Sequence, residues 1–474
     1  MRTTILILIL LTAAPLCALA QNRAGEGDIK ELYEDNCAGC HGKDLAGGSG
    51  SSLIDDEWIH GSGDEAIATA IRDGVPDMGM PAWEGALDEK QIRAMVIFIR
   101  EMKAKSQQDA LRRSLDGDVV SAAGHRYALE QLGQGEGLLW SIDFMPDGAM
   151  LVTQREGVLW HFKDGERSQV EGIPEVWQHG QGGLLEVALH PDFTENGWVY
   201  LSYSENTGAE ENDKDAGMTT VVRGQIADGY WRNQETLFRV DEKHHTSSGA
   251  HFGSRFVFHD GYLFFGIGDR GRMSRAQDLD RPNGKIYRIH DDGRVPQDNP
   301  FVDVDNALPE IWSYGHRNPQ GMDKHPVTGE LWESEHGPRG GDEINLVEKG
   351  KNYGWPEITY GMNYNGTPIT DKTHREGMEQ PRLFWVPSIA VAGIDFYEGD
   401  AFPGWKGKLL AGGMASEELH LLTIEDGEIS ADEVILKGRG RIRDVASGPD
   451  GAIYLLLNDG SPRKGRIVRM VPVD

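Results

Sequence analysis

The residues best suited to chemistry near the start of the chain are Cys37, Cys40 and His41. Two residues separate the thiols, and the histidine directly follows the second thiol. This spacing is typical of a covalently attached haem, in which both thiols form thioethers and the histidine ligates the iron. A redox dithiol, a disulfide or half of a zinc site would use the same two thiols. The adjacent histidine favours haem c over these alternatives.

A second axial ligand for the iron is expected between residues 74 and 83, where two methionines lie close together. A thioether ligand raises the reduction potential relative to a second histidine. Met80 directly precedes Pro81 and resembles the axial methionine of small bacterial cytochromes c. We therefore predict Met80 as the ligand, with Met78 as the alternative.

A second group of reactive side chains comes in polar clusters late in the chain. Arg441 and Arg443 alternate, so both are expected on the same side of a strand. Converging guanidinium groups suit a ligand that carries carboxylates. A histidine beside an acid supplies a general base and the group that orients it. For any single residue, a structural ion pair is an equal alternative. The clusters span residues 180–185, 251–255, 266–271, 315–321, 334–338, 342–346 and 441–444.

The first 20 residues have the pattern of a secretory signal. Arg2 supplies a positive start, residues 5–11 form an apolar run, and Ala18 and Ala20 are the small residues of a cleavage site. Cleavage after Ala20 removes Cys17 and leaves only the two thiols of the haem motif. We therefore expect a periplasmic or secreted protein without a structural disulfide. No later segment is apolar enough to span a membrane.

The chain of 474 residues is long enough for a small and a large domain. Helical periodicity is confined to the early part, in residues 28–36 and 88–102. We predict a small all-α cytochrome c domain over residues 21–104, followed by a linker over residues 105–126. The apolar stripe of the second helix consists of Ile92, Met95, Val96 and Ile99.

From residue 127 onwards, a turn rich in Pro, Asp or Gly recurs, and an apolar strand follows it each time. Repeats with several short strands are typical of a β-propeller. We predict an all-β, six-bladed propeller over residues 127–474, in which uneven spacing reflects insertions that build the binding face. His190 lies in one of these turns and is interpreted as structural. The six copies begin at Phe144, His190, Phe258, His325, Gly404 and Gly448.

The formal net charge of the chain is −29 at pH 7. A surface of this sign repels phosphate, so nucleic acid is not an expected partner. A solvated acidic surface explains the charge, and a basic electron-transfer partner is a further interpretation.

Several motifs stand in order in the predicted propeller. They are Gly-Leu-Leu with His-Pro-Asp-Phe, Ile-Gly-Asp-x-Gly, Gly-His-Arg-Asn-Pro-Gln-Gly, Glu-x-Gly-Pro, Asp-Glu-Ile-Asn-Leu, Asn-Tyr-Gly-Trp-Pro and Arg-x-Arg-Asp-Val. With these motifs, residues from about 130 to 474 resemble the soluble aldose sugar dehydrogenases that use pyrroloquinoline quinone (PQQ), the glucose/sorbosone dehydrogenase family. The family fold is a six-bladed propeller, in agreement with the number of repeats.

The resemblance implies roles for five polar residues. His251 would remove the proton from the anomeric hydroxyl of a sugar, Asp269 would orient this histidine, and Gln181 would lie beside the hydroxyl. Arg317 would lie over the quinone carbonyl and stabilise charge as hydride arrives. Asn318, its neighbour, would contact the cofactor.

The resemblance also implies two calcium sites. The backbone carbonyls of Gly337 and Pro338 would bind an active-site Ca²⁺, since oxygen ligands suit this hard cation. The ion would also make the quinone more electrophilic. Glu343 and Tyr353 resemble the residues of a second, structural Ca²⁺ site.

Arg441 and Arg443 match the pair that holds the PQQ carboxylates in the family. The sequence departs from the family at a lysine that often contacts PQQ in the fifth blade. Residues 412–418 contain no lysine, and Ala415 takes the corresponding place. The loss of one charge-assisted contact, about 1.5–3 kcal/mol, weakens cofactor binding without excluding it.

Together, these observations predict a periplasmic quinohaemoprotein that oxidises an aldose-type sugar at C1 to its lactone. Electrons would pass from PQQ to haem c and then to an external acceptor, such as a soluble cytochrome or a respiratory-chain component. The alternative is a haem-bearing propeller that binds carbohydrate or a protein partner without catalysis, which Ala415 favours. A lactonase that uses Ca²⁺ alone would explain neither the haem nor the arginine pair. Loops at residues 205–215 and 363–381 vary freely in the family and leave the sugar open.

Overall fold

The computed structural model of the chain describes residues 26–111, 119–459 and 464–473. The expected signal segment, residues 1–20, lies outside the described residues. No helix within these ranges is long and apolar enough to cross a membrane.

The haem motif lies in an N-terminal helical region, as the sequence predicts. The predicted first and last helices are both present, and a helix that the periodicity did not reveal lies between them. Ile67 and Ile71 of this middle helix are buried against the others. The helices are α1 (Glu26–Asn36), α2 (Ala38–His41), α3 (Asp64–Asp73) and α4 (Glu89–Leu111).

Helix α4 begins at a reciprocal cap. The backbone N–H of Gln91 donates to the Asp88 carboxylate (2.8 Å), and the backbone N–H of Asp88 donates to the Gln91 side chain (3.0 Å). The predicted stripe is buried, but Ile97 and Phe98, which lie outside it, are buried too. A helix that is apolar all round must be covered on more than one face. Something besides the helical region therefore packs on α4.

Antiparallel strands make up almost all of the regular secondary structure after residue 118. A short helix, α5 (Phe193–Asn196), interrupts them. The strands are β1 (Val119–Ala122), β2 (His125–Gln134), β3 (Leu139–Phe144), β4 (Met150–Gln154), β5 (Val158–Lys163), β6 (Glu166–Val170), β7 (Leu184–Leu189), β8 (Trp198–Glu205), β9 (Met218–Ala227), β10 (Tyr230–Phe238), β11 (Phe256–His259), β12 (Tyr262–Ile267), β13 (Lys285–His290), β14 (Ile311–Tyr314), β15 (Pro319–Lys324), β16 (Leu331–Glu335), β17 (Asp342–Val347), β18 (Leu383–Trp385), β19 (Val391–Phe396), β20 (Leu409–Gly413), β21 (Glu418–Glu425), β22 (Glu428–Lys437), β23 (Arg441–Ser447), β24 (Ile453–Asp459) and β25 (Lys464–Pro472).

These strands form six sheets, which confirms the predicted six-bladed propeller. Blades 1 to 5 each take four consecutive strands, starting at β3, β7, β11, β15 and β19. Blade 6 has the order β1-β2-β25-β24-β23, so the last strand of the chain pairs with β2 from its beginning. This pairing closes the ring, because it joins the two ends of the propeller in one sheet.

Each blade has one inner strand that lies next to the inner strands of the neighbouring blades, so these six strands surround the central axis. They are β3, β7, β11, β15, β19 and β23. Each predicted recurring turn joins such an inner strand to the second strand of the same blade. In an antiparallel pair, the start of the first strand and the end of the second lie at the opposite end from this turn. The turns therefore lie on one rim of the propeller. The residues just before each inner strand and just after each second strand lie on the other rim.

The buried side chain of Arg255, just before β11, ties the inner strands together. Its guanidinium donates to Glu186 in blade 2 (3.0 Å) and to Asp444 in blade 6 (2.9 Å). Its Nε donates to the Gln320 carbonyl in blade 4 (2.7 Å), and its plane covers the Trp140 ring in blade 1 (4.5 Å). Arg255 and Asp444 thus form the structural ion pair that the sequence left open as an alternative to a ligand site.

Candidate active site and haem site

The predicted site residues lie on the rim opposite the recurring turns. His251 precedes β11 and Asp269 follows β12, and these two strands pair with Phe256 opposite Phe265. Arg317 precedes β15 in the same way. Six further candidates lie on the same rim, because each lies just before an inner strand, at its start or just after a second strand. They are Gln181, Asn318, Gly337, Pro338, Arg441 and Arg443.

His251 and Asp269 form a hydrogen-bonded pair. The His251 Nδ1 lies 2.6 Å from the Asp269 Oδ1, and the carboxylate side chain is fully buried. The Gly271 backbone N–H donates to the same oxygen (2.7 Å), and the Trp355 indole N–H donates to Oδ2 (2.8 Å). Because an ionised carboxylate only accepts hydrogen bonds, Nδ1 of the histidine carries the proton. Nε2 is then the basic atom that a substrate hydroxyl would meet.

The pKa values of this pair shift in the direction that a general base requires. Burial lowers the pKa of His251, and the nearby Arg317 lowers it further. Burial alone would raise the pKa of Asp269, but His251, Arg317 and the Trp355 hydrogen bond outweigh it and lower that pKa. Near neutral pH, the pair is therefore a neutral imidazole held by an ionised carboxylate.

The backbone of His251 has a φ of 53°, in the left-handed region that few non-glycine residues adopt. The Gln181 side chain accepts a hydrogen bond from the His251 backbone N–H (2.8 Å). The Gln181 backbone N–H donates in turn to the Gly249 carbonyl (2.7 Å). Gln181 thus holds the strained loop that carries the base.

Arg317 lies between this pair and the candidate metal carbonyls. Its Nη1 donates to the carbonyls of His336 (2.8 Å) and Gly337 (2.7 Å). The guanidinium also lies over the Trp355 ring, 5.3 Å from its centroid. A carbonyl oxygen has two lone pairs, so the Gly337 oxygen can accept this bond and still bind a cation. The Gly337 N–H donates to the buried Asp342 carboxylate (2.9 Å), which fixes the loop.

Basic groups converge beside this loop. Burial lowers the pKa of His336 well below its usual value, and the charges of Arg443 and Arg317 lower it further. Arg443 donates to the Gln320 side chain (2.8 Å). Its Nε and the His336 Nε2 are buried and have no hydrogen-bond partner among the described residues. The unpaired donors and the clustered cations fit a ligand that carries several carboxylates, such as PQQ.

Glu343, one of the predicted structural calcium residues, lies beside other acids. The Asn345 side chain donates to Glu343 (3.2 Å) and to the fully buried Glu333 (3.0 Å). Burial raises the pKa of Glu343 well above its usual value, and Glu335 and Glu333 raise it further. Within the described ranges, the second oxygen of Glu333 has no hydrogen-bond partner. Crowded, unsatisfied oxygens of this kind suit a bound Ca²⁺.

Tyr353 can contribute to such a site only through its backbone. Its hydroxyl donates to the Leu346 carbonyl (2.5 Å) and accepts from the Glu348 N–H (2.9 Å). Its ring stacks on His316, with 4.5 Å between centroids. The carbonyl oxygen of Tyr353 is therefore the atom that fits a metal ligand.

Ala415 follows β20 and lines a cleft of about 720 Å³ together with Pro338. The Ala415 N–H donates to the Ile389 carbonyl (2.8 Å). The cleft adjoins the candidate metal loop, which is where the family lysine was expected. Lys437 of β22 and Lys105 of α4 line the same cleft.

The haem motif shows the geometry expected of an axial histidine. The His41 Nδ1 lies 2.8 Å from the Ser51 carbonyl, so Nδ1 must donate and Nε2 is left available as a metal ligand. Cys37 and Met80 both pack against the hydrophobic cluster of the helical region. Met78 is 58% exposed, which favours Met80 as the second ligand.

Two residues of the site were not predicted. Trp355 holds Asp269, and it belongs to the Asn-Tyr-Gly-Trp-Pro motif, which could have indicated it. His336 lies inside the 334–338 cluster, directly before Gly337, but its sequence position does not reveal that the charges of Arg441 and Arg443 in blade 6 act on its ring.

The fold and the site define the class: a β-propeller oxidoreductase that carries an N-terminal cytochrome domain. Residues 138–469 match the family model described as Glucose / Sorbosone dehydrogenase, and residues 25–99 match the one described as Cytochrome C oxidase, cbb3-type, subunit III. The chain belongs to the glucose/sorbosone dehydrogenase family and is a PQQ-dependent sugar dehydrogenase by class. These matches confirm the resemblance and the enzyme class that the motifs predicted.

Individual relatives agree with this assignment. Aldose sugar dehydrogenase YliI of Escherichia coli K12 is 44% identical over 342 residues, which cover 70% of this chain and 90% of that protein. Quinoprotein glucose dehydrogenase B of Acinetobacter calcoaceticus is 27% identical over 414 residues, with 70% and 84% covered. The crystal structure of the soluble aldose sugar dehydrogenase of E. coli in the apo-form has a TM-score of 0.69 and 42% identity, and covers 73% of this chain and 100% of that one.

The axial ligand can be tested with two methionine variants. Met80→Ala is expected to change the visible spectrum of the oxidised haem and to lower its reduction potential, because a thioether ligand is lost. Met78→Ala is the matched control and should leave both unchanged, since Met78 is exposed. Spectroscopy and redox titration of the purified proteins make the comparison. A changed spectrum in the Met78 variant alone would assign the ligand to Met78.

Asp269 can be tested against a second histidine–acid pair elsewhere in the propeller. Asp269→Asn is expected to lower kcat by a factor of about 10²–10⁴, because the imidazole loses the carboxylate that orients it. A well-placed general base usually contributes a rate factor of this size. Asp291→Asn is the control, since Asp291 pairs with His190 (3.1 Å) in a predicted structural turn. Sugar-dependent dye reduction gives the rates. Equal losses in the two variants would contradict the orienting role.

Proposed function

We propose that the protein oxidises an aldose-type sugar at C1 to the lactone and passes the electrons to its own haem c. The observation that supports this most is the pair of a neutral His251 imidazole and an ionised Asp269 carboxylate. The basic Nε2 atom of His251 lies on the rim where Arg317, Arg443 and Arg441 converge. A base next to a cluster of cations suits removal of a proton beside an anionic cofactor.

His251 would accept the proton of the anomeric hydroxyl at Nε2. Asp269 would keep Nδ1 protonated and would stabilise the imidazolium that forms. Gln181 would hold the His251 backbone in place through the N–H bond already present. Arg317, fixed by the carbonyls of His336 and Gly337, would stabilise negative charge that develops on the acceptor.

The residues on this rim fit PQQ and its metal. When bound, PQQ would supply a quinone that accepts the hydride from C1 of the sugar. Arg441 and Arg443 would hold its carboxylates and Asn318 would contact it, while the carbonyls of Gly337 and Pro338 would hold a Ca²⁺ ion.

The second calcium site that we propose is separate from the chemistry. The Glu343 carboxylate and the Tyr353 carbonyl would hold this ion. Its role there would be to offset the repulsion among the acids of blade 4.

The haem side of the proposal uses Cys37, Cys40, His41 and Met80. Both thiols would carry thioethers, and the His41 Nε2 and the Met80 sulfur would bind the iron. Such a haem takes electrons one at a time, so the pair released from one sugar would leave in two steps toward an external acceptor. Covalent haem attachment agrees with the expected export and periplasmic location.

The central experiment loads the full-length protein with PQQ and Ca²⁺ and adds a panel of aldoses. We expect the haem spectrum to change to that of the reduced form, and His251→Ala to lower the rate by about 10²–10⁴ without changing the haem spectrum of the resting protein. Stopped-flow absorbance measures both.

Two results would contradict this proposal. No reduction with any aldose, together with sugar binding in calorimetry, would favour the non-catalytic binder. A His251→Ala variant that retained most of its rate would exclude this residue as the base.

The pH dependence follows from the lowered pKa of His251. Neutral imidazole is the reactive form, so activity is present above this pKa and is lost as the pH falls through it. We expect kcat/KM to fall about tenfold per pH unit on the acid side, with a midpoint below the usual histidine value. Arg317→Gln removes a cation that lowers the pKa of His251, so the acid limb should move to higher pH. An acid limb that does not move would contradict this coupling.

A further inference from the structure

We infer that one face of α4 is a docking surface that fixes the cytochrome domain on the loop beside the candidate metal carbonyls. We define this docking face by Arg93, Ile97 and Glu101. Successive residues of the set are four positions apart, so all three lie on one side of the helix. The electron-transfer part of this inference rests on the proposed function, while the docking itself does not.

The docking face explains why α4 is buried beyond its predicted stripe. The stripe packs inside the cytochrome domain with residues of α1 and α3. Ile97 lies outside the stripe, yet it is only 3% exposed. The hydrophobic cluster of the cytochrome domain also includes Met362, which belongs to the long connection between β17 and β18 of the propeller. The hydrophobic core of the cytochrome domain therefore extends onto this propeller connection.

The strongest polar contact of the docking face joins Glu101 to Arg339. The Arg339 Nε donates to one carboxylate oxygen (2.8 Å) and Nη2 donates to the other (2.6 Å). The side chains are 23% and 12% exposed, respectively. A bidentate and largely shielded pair has a defined geometry, unlike a single exposed ion pair. Glu101 therefore fixes both the position and the orientation of Arg339.

Arg93 makes the second polar contact, about two turns closer to the start of the helix than Glu101. Its guanidinium donates to the Thr359 carbonyl of the propeller. Burial lowers the pKa of Arg93. A cation withdrawn from water in this way is tolerated where a specific acceptor meets it. The contact is thus part of a packed interface rather than a chance approach of two surfaces.

Ile97 lies between these polar contacts and meets a glycine of the propeller. A side chain added at Gly340 would approach the Ile97 Cγ2 and the Val386 methyl groups at 3.6 Å. Gly340 has a φ of 79°, so glycine also suits its backbone. These distances correspond to ordinary van der Waals contact, so Ile97 packs close to this loop.

The two propeller segments under α4 are tied to each other and to the site. Arg339 and Met362 exchange backbone hydrogen bonds of 3.0 Å in both directions. Arg339 directly follows Pro338, and Arg317 holds the neighbouring Gly337 carbonyl (2.7 Å). The docking face therefore rests on the same loop that would hold the metal and the quinone. Electron tunnelling falls steeply with distance, so a fixed pose of the cytochrome domain at this loop favours transfer to the haem.

The test compares Glu101→Arg with Glu89→Gln in the full-length protein. Glu89 also lies on α4, but it pairs with Arg72 inside the cytochrome domain. We expect Glu101→Arg to speed hydrogen exchange at residues 339–341 and 360–362 and to slow sugar-driven haem reduction about tenfold or more. Sugar-dependent reduction of an added dye that bypasses the haem should stay within about twofold of wild type. Glu89→Gln should behave as wild type in all three measurements.

Hydrogen exchange needs neither PQQ nor sugar, so it separates this inference from the proposed function. Unchanged exchange in Glu101→Arg, at an unchanged haem spectrum, would overturn the docking surface even if the enzyme is active. Faster exchange with normal haem reduction would overturn the claim that docking sets electron transfer. Recovery of both readouts in the double variant Glu101→Arg/Arg339→Glu would confirm that the ion pair is the contact responsible.

Discussion

The propeller depends on one buried guanidinium, that of Arg255 at its axis. This side chain belongs to blade 3 and contacts groups of blades 1, 2, 4 and 6. Two buried acids, Glu186 and Asp444, accept its hydrogen bonds. Removing one partner of such a network leaves an uncompensated buried charge, which costs about 3–5 kcal/mol. The inner strands are thus held in register around the axis by a single positive charge and the acids that face it.

The same network reaches the candidate active site through Gln320. Its carbonyl accepts from Arg255, its side-chain oxygen accepts from Arg443 (2.8 Å), and its side-chain nitrogen donates to Asn318 (3.2 Å). Two of the candidate cofactor contacts are therefore positioned by the group that also joins the blades. Such hydrogen bonds hold the cationic side chains in position before an anionic ligand binds. Without them, the ligand itself would have to order these side chains.

The loop at the outer end of the candidate site contacts the cytochrome domain. The loop that begins at Gly337 is fixed from the inside by Arg317 and Asp342, and from the outside by α4 through Arg339. The loop thus lies between the candidate active site of the propeller and the cytochrome domain, which would receive the electrons. The cytochrome domain therefore packs against the outer side of this loop.

The local features of both domains could be predicted from the sequence. Haem attachment depends on a five-residue motif, and the number of blades depends on a turn that recurs along the chain. Helix α3 was missed, because only Ile67 and Ile71 of its ten residues are buried and the apolar pattern is short. Trp355 and His336 were missed as well, since their partners lie far away in the chain and only folding brings them together.

By itself, the sequence determined the haem motif, the propeller class and the candidate base with its acid, because each is encoded in a local pattern or a family motif. Only the tertiary structure decided how these parts meet. Long-range contacts assign Arg255 and Asp444 to the axis, place Arg443 near His336, and give α4 its second buried face. The physical reason is that a side chain of either charge can pair with many partners, and chain topology selects which partners come within hydrogen-bond distance.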